Sequence, residues 1–311
     1  MLAEVTLRPE DLVAPLFVRE GENVRQPIDS MRGHFQLSVD EALDTVHRWA
    51  DDGIRAVLLF GVPDDKDAQG SEAWSDQAAV QRLCRLLRDD LPELLVITDV
   101  CLCEYTDHGH CGPLGPAPFG EGVDVDNDAA LELLARVAVS HARSGAHLVA
   151  PSAMMDGQVA AIREALDEHG LIHTGILSYA AKFASSLYGP FRDAAGSAPQ
   201  MGDRRGYQMD PLSPRQAMLE VQADVDEGAD MLMVKPAGAY LDIISAVRRN
   251  FDLPLVAYHV SGEYAMLKAA AANGWLDERA AALEVTASIK RAGADLIITY
   301  FAPQMVNWLK G

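Results

Sequence analysis

Three of the chain's four cysteines, Cys101, Cys103 and Cys111, fall within eleven residues, directly after the apolar run Leu94-Leu95-Val96-Ile97 and its polar end Thr98-Asp99. Three thiolates with no evident fourth protein ligand describe a tetrahedral zinc site with one open position, the arrangement a catalytic ion needs. Zinc is favoured over a disulfide, because nothing in the chain resembles a secreted protein, and over three unrelated core thiols clustered by chance. His108 and His110 lie in the same segment and offer an alternative ligand. Their ordinary role is as polar residues on a turn around Gly109 and Gly112.

Two lysines form a second candidate constellation. Lys182 follows Ser178-Tyr179-Ala180-Ala181, and Lys235 stands in Met233-Val234-Lys235-Pro236. An ammonium at the end of an apolar run must leave the wall of the core, which is seldom a structural choice. Burial and mutual repulsion both lower a lysine pKa and release the amine that attacks ketones to form a Schiff base. Pairing of each lysine with a carboxylate is the plainer alternative.

The elements that must hold these groups follow from short apolar runs alternating with helical periodicity. Candidate strands are Leu12 to Phe17, Ile54 to Phe60, Leu94 to Asp99, His147 to Pro151, Gly175 to Tyr179, Met231 to Val234, Leu255 to His259 and Leu296 to Tyr300. Between them lie amphipathic helices. One starts at Ser38 with Glu41 as a capping box, buries Leu43, Val46 and Ala50, and stops at Gly53. Another carries Val159, Ile162 and Leu166 before Gly170, and a third enters at Ser213-Pro214, shows Met218, Val221 and Val225, and ends at Gly228. Eight such units without a linker predict an α/β fold, a TIM (β/α)8 barrel forming a single domain over residues 1–311. No glycine-rich phosphate fingerprint follows the first strand, which weighs against a dinucleotide-binding sheet.

Barrel sites gather where the strands end. The unusual polar residues fall there: Asp99 and the cysteines, Ser152, Lys182, Lys235, Ser261 and Tyr300. The longest irregular connection, from about Ser185 to Pro211, reads as a lid with Gly196, Gly202 and Gly206 as hinges. Its Arg192, Arg204 and Arg205 would bring positive charge over the mouth for an anionic substrate. The 311 residues carry 46 acidic against 26 basic side chains, a net charge of −20, which repels phosphate backbones and argues against nucleic acid. Neither a signal peptide nor a membrane span is visible, so a soluble cytoplasmic protein is expected.

The chain resembles the porphobilinogen synthase (5-aminolevulinate dehydratase) family from about Thr6 to Phe301. The resemblance rests on Asp99-Val100-Cys101-Leu102-Cys103 through His108-Gly109-His110-Cys111-Gly112, on Ala150 to Gly157, and on Lys182-Phe183-Ala184-Ser185-Ser186 through Tyr188-Gly189-Pro190-Phe191-Arg192. Met233-Val234-Lys235-Pro236-Ala237-Gly238, Val260-Ser261-Gly262-Glu263-Tyr264 and Ile289 to Asp295 complete it. It implies condensation of two 5-aminolevulinate molecules into porphobilinogen with loss of two waters. It also implies that Lys235 binds the substrate that becomes the propionate side and Lys182 the one that becomes the acetate side, each as a Schiff base. Arg192, Arg204 and Gln208 would hold the acetate-side carboxylate, and Ser261 and Tyr300 the propionate-side one. Three cysteines place the chain in the zinc branch of the family, with Asp99 assisting proton transfer, and Glu220 matches a carboxylate that holds magnesium in many relatives.

Two departures bear on these expectations. Relatives carry an arginine-rich N-terminal arm that wraps a neighbouring subunit, whereas this chain starts almost at the first strand. A homo-oligomer is implied, with a dimer or hexamer favoured over an octamer. Arg32 stands where relatives usually have proline, with no evident catalytic consequence. A one-lysine Schiff-base aldolase on the same barrel and a non-catalytic zinc-binding paralogue are the rival functions.

Overall fold

The computed structural model describes residues 2–117 and 121–310. Met1, residues 118–120 and Gly311, part of the expected 1–311 span, lie outside the described residues. The eight apolar runs become eight parallel barrel strands: β1 Leu12–Arg19, β2 Ala56–Val62, β3 Leu95–Val100, β4 Leu148–Pro151, β5 Gly175–Lys182, β6 Met231–Lys235, β7 Leu255–His259 and β8 Leu296–Thr299. Each pairs with its successor, and the sheet closes where Leu12 and Val13 of β1 register with Ile297 and Ile298 of β8. A closed parallel sheet buries both faces of every strand, which is why the runs are continuously apolar instead of alternating.

The helices surround the barrel in chain order: α1 Val39–Asp51, α2 Ala79–Asp90, α3 Asn127–Ser144, α4 Gln158–Glu168, α5 Gly189–Ala194, α6 Pro214–Asp226, α7 Leu241–Asn250, α8 Ser261–Ala272, α9 Glu278–Ala292 and α10 Ala302–Trp308. Val159, Ile162 and Leu166 on α4 are fully buried, each contributing about 2 kcal/mol of apolar burial. Local signals set several boundaries. Asp126 accepts from Ala129 N–H at 3.1 Å at the start of α3, Asp277 does the same from Ala280 N–H at 2.7 Å for α9, and Gly145 ends α3 at φ 110°.

Three expectations are corrected. Ser38 does precede α1, but its hydroxyl makes no cap; it accepts from Val24 N–H at 2.9 Å, tying the helix to a hairpin of Arg25–Pro27 and Phe35–Ser38 that packs beside β1. Glu41 accordingly closes no capping box and lies 3.7 Å from Arg25. The segment from Ser185 is not wholly irregular, because a 3-10 turn over Ser186–Tyr188 leads into α5. Finally, β5 runs three residues beyond Tyr179 and β6 one beyond Val234, so Lys182 and Lys235 end their strands and are register partners.

Candidate active site

Lys182 and Lys235 share one level of the barrel mouth, only 5% and 6% exposed. The Lys182 ammonium donates to Ser152 O at 2.6 Å. Lys235 has no carboxylate in salt-bridge contact among the described residues. Its Nζ lies 4.2 Å from the ring centre of Tyr258, 5.1 Å from that of Tyr179, and 5.2 Å from those of Tyr188 and Phe191. Burial in this aromatic cage, followed by repulsion from Lys182, pushes Lys235 down from 10.5 to about 7. A lysine so placed is an amine for much of its time near neutral pH, as nucleophilic attack on a carbonyl requires.

Asp99, near the end of β3, accepts from the Ser152 hydroxyl at 3.0 Å through one oxygen, while the other has no partner among the described residues. Burial, then the nearby Glu104 carboxyl, raises Asp99 to about 7 against the opposing pull of Lys182 and Lys235. Beyond it the polypeptide turns through Cys101, Cys103 and Cys111, all buried and free, with sulfurs within 4.8 Å of one another. Zinc–sulfur bonds of about 2.3 Å in a tetrahedron require sulfurs about 3.8 Å apart, so small side-chain adjustments close this set around an ion. Among the described residues it is the one group of three or more His, Cys, Asp or Glu donors that converges in this way.

The two histidines of the segment are otherwise engaged. His108 Nδ1 accepts from His110 N–H at 3.1 Å, and its Nε2 faces Ala68 O at 3.3 Å. His110 Nε2 faces a carbonyl, Met201 O, at 3.0 Å and must carry the hydrogen, so its Nδ1 accepts from the Tyr207 hydroxyl at 3.0 Å. Neither ring has a nitrogen to spare for a metal.

These contacts fasten the lid to the cysteine loop. Gln200 N–H donates to His108 O at 3.0 Å, and Arg204, buried, donates to Gly109 O at 2.8 Å and to Ser197 O. A side chain at Gly109 would meet Ala198 O at 2.4 Å. Burial disfavours the Arg204 charge, yet the neighbouring Cys103 and Cys111 sulfurs more than restore it. Nε of Arg192, Nε of Arg204 and both ends of the Gln208 amide are buried without a partner among the described residues. Arg205 does not join them; it is exposed, 3.7 Å from Asp203. Gln208 also lines a cavity of about 520 Å³ with Asp124, Asp156, Asp224 and Glu220. Glu220, on α6, is raised by burial and by the carboxylates of Asp156 and Glu227, and it belongs to no converging group of three donors among the described residues.

On the opposite side, Ser261 opens α8 immediately beyond β7. Its hydroxyl accepts from Phe191 N–H at 3.0 Å and donates to Leu187 O at 3.4 Å, so it ties the segment after Lys182 to the start of α8. Tyr300, following β8, shares a 3.0 Å hydrogen bond with Tyr258. Sequence reasoning missed several contributors. Glu104 is buried, takes the Cys103 S–H at 3.3 Å and is raised to about 8 by burial and by Cys103; its position between two cysteines was the available signal. Tyr179, Tyr188, Tyr258 and Phe191 form the cage, and of these Tyr179, three residues before Lys182, carried a hint. Glu263 accepts from Val260 N–H at 2.8 Å and Gly238 N–H at 2.7 Å, linking the loops beyond Lys235 and β7.

The family model described as "Delta-aminolevulinic acid dehydratase" matches residues 1–308. The delta-aminolevulinic acid dehydratase of Synechocystis sp. is 53% identical over 310 residues, covering 100% of this chain and 94% of its own length. That of Synechococcus elongatus is 52% identical over 309 residues, covering 99% and 94%. Among solved structures, the Toxoplasma gondii enzyme in complex with the reaction product porphobilinogen superposes with a TM-score of 0.95 at 44% identity, covering 99% of this chain and 87% of that one.

Proposed function

The chain belongs to the delta-aminolevulinic acid dehydratase family, and from that membership we infer that it condenses two molecules of 5-aminolevulinate into porphobilinogen with loss of two waters, a lyase step of tetrapyrrole and heme biosynthesis. The observation that carries the reading is the pair of buried lysines at one level of the mouth in a chain matched by the family over nearly its whole length. A one-lysine aldolase leaves the second lysine and the thiols without a task. A non-catalytic paralogue leaves the unpaired lid donors without one.

In this reading Lys235 forms a Schiff base with the propionate-side substrate and Lys182 with the acetate-side substrate. The lowered Lys235 favours the first attack. Asp99, half-protonated near pH 7, takes and returns protons with Ser152 orienting it. The unpartnered Arg192, Arg204 and Gln208 groups suit the acetate-side carboxylate. Ser261 and Tyr300 receive the propionate-side carboxylate, Ser261 exchanging its lid contacts for it. Cys101, Cys103 and Cys111 would hold zinc, which when bound would supply Lewis-acid chemistry on the acetate side. Glu220, which lines a cavity with Asp124, Asp156 and Asp224, would offer a carboxylate to magnesium.

The assembly is proposed as a homo-oligomer, dimer or hexamer, supported by exposed Met266, Trp275 and Leu276 near the end of α8. Four free cysteines suit the reducing cytoplasm, and no helix among the described residues is long and apolar enough to cross a membrane. Borohydride trapping with 5-aminolevulinate tests the chemistry. An adduct should form on Lys235, vanish in Lys235→Ala and persist in Lys182→Ala while product formation stops. Trapping confined to Lys182 would reverse the two assignments.

A further inference from the structure

We propose that Tyr179 is a catalytic residue whose hydroxyl carries protons between the lysine nitrogens and the departing ketone oxygen, with the free oxygen of Asp99 beside it orienting that hydroxyl. The inference rests on the imine-forming reading of Lys182 and Lys235 and adds to it.

Among the described residues Tyr179 is the one aromatic ring against which both lysine nitrogens lie, with Nζ of Lys182 5.5 Å and Nζ of Lys235 5.1 Å from its ring centre. Its hydroxyl is fully buried and has no hydrogen-bond partner among the described residues. The neighbouring tyrosines all have one: Tyr258 and Tyr300 bond each other at 3.0 Å, Tyr188 donates to Phe183 O at 2.6 Å, and Tyr264 donates to Arg32 O at 2.6 Å. The free oxygen of Asp99 is also unpartnered, and the two groups are neighbours; burial and the adjacent carboxyl together push the phenol well above its ordinary range. Leaving a buried donor or acceptor unmade costs about 1–3 kcal/mol. A tyrosine kept only for packing would be expected to bond within the wall, as its neighbours do. The Tyr179 hydroxyl and the free Asp99 oxygen have no partner in the wall other than each other, which leaves both able to meet a polar group that arrives with substrate.

The reaction supplies that group. A ketone and a lysine ammonium give an iminium and water, so two of the three ammonium protons must leave on the water. One is handed off before attack. The nitrogen lone pair then forms the C–N bond as the carbonyl π pair moves to oxygen, which takes up the first proton. The second proton passes from nitrogen to that oxygen, the C–O pair departs with water, and the nitrogen lone pair closes the C=N bond. In the intermediate, nitrogen and oxygen sit on the same carbon, and direct transfer would need a strained four-membered ring. A hydroxyl that accepts from nitrogen while donating to oxygen makes the ring six-membered. A phenol that stays protonated serves that purpose.

Rapid-quench borohydride trapping on the zinc-loaded enzyme, with each lysine peptide quantified by mass spectrometry, tests this. Tyr179→Phe keeps the ring and removes only an unpaired group, so the fold persists. Adduct formation should slow by about 10²-fold while substrate still binds, and Tyr179→Phe with Asp99→Asn should be little slower than either alone. Adducts forming at the wild-type rate in Tyr179→Phe would overturn the inference, and fully multiplicative losses would remove Asp99 from the relay. If the wild type traps on neither lysine, the imine reading itself fails.

Discussion

Replacing Lys235, the proposed nucleophile, by methionine should abolish turnover and stabilise the fold. The unfolded chain keeps the lysine proton to about 10.5 and the folded chain only to about 7, so between these values the unfolded state binds more protons and wild-type stability rises with pH. At pH 6 the buried ammonium costs about 5 kcal/mol, at about 1.4 kcal/mol per pH unit. The aromatic cage, nearest at 4.2 Å from Tyr258, returns about 2 kcal/mol of this. Methionine fills the same channel without a charge. The variant should gain about 2–3 kcal/mol at pH 6, raising Tm by about 5 °C at about 2 °C per kcal/mol. Near pH 10 the wild-type lysine folds almost without this penalty, and the gain should vanish or reverse. Asp99 is largely protonated at pH 6 and adds little to the difference. Scanning calorimetry of both proteins at pH 6 and pH 10 decides it. A variant less stable than wild type at pH 6, or an identical difference at both pH values, would refute the claim that Lys235 is held as a strained cation.

Cys101→Ala or a strong chelator should stop product formation and remove bound metal while far-UV circular dichroism stays unchanged, because the barrel core is large without the cysteine loop; full activity in a metal-free sample would exclude a catalytic metal. The pH dependence of kcat/KM should be a bell about pH 7, since activity is lost below it as Lys235 gains a proton and above it as Asp99 loses one. Asp99→Asn should remove the alkaline limb from whatever activity remains. His110→Ala should free the lid, seen as faster proteolysis between residues 196 and 208 and a KM raised more than kcat falls, because both ring nitrogens now hold lid atoms at 3.0 Å; unchanged cleavage would show that the ties from Arg204 and Gln200 suffice without it.

The barrel was legible because buried parallel strands are short, apolar and separated by helices with clear stops; Leu255 to His259 matches its strand at both ends. What escaped lacks that periodicity. The hairpin over Arg25–Pro27 is exposed and carries a proline, and its pairing took the Ser38 hydroxyl from the expected cap. Six-residue α5 begins with Gly189-Pro190, which reads as a turn until Pro190 is recognised at the helix start. Both lysines and all three cysteines were visible as rare chemistry at strand ends. Glu104 and Tyr179 were not, since a glutamate in a polar loop and a tyrosine in a strand look ordinary until burial and missing partners set them apart.

The most direct test is product formation by the purified chain supplied with 5-aminolevulinate, with and without added zinc. Porphobilinogen should appear at one molecule per two substrates consumed, be lost on chelation and return when zinc is restored. Consumption of substrate without porphobilinogen, or no turnover in a zinc-loaded folded sample, would contradict the account.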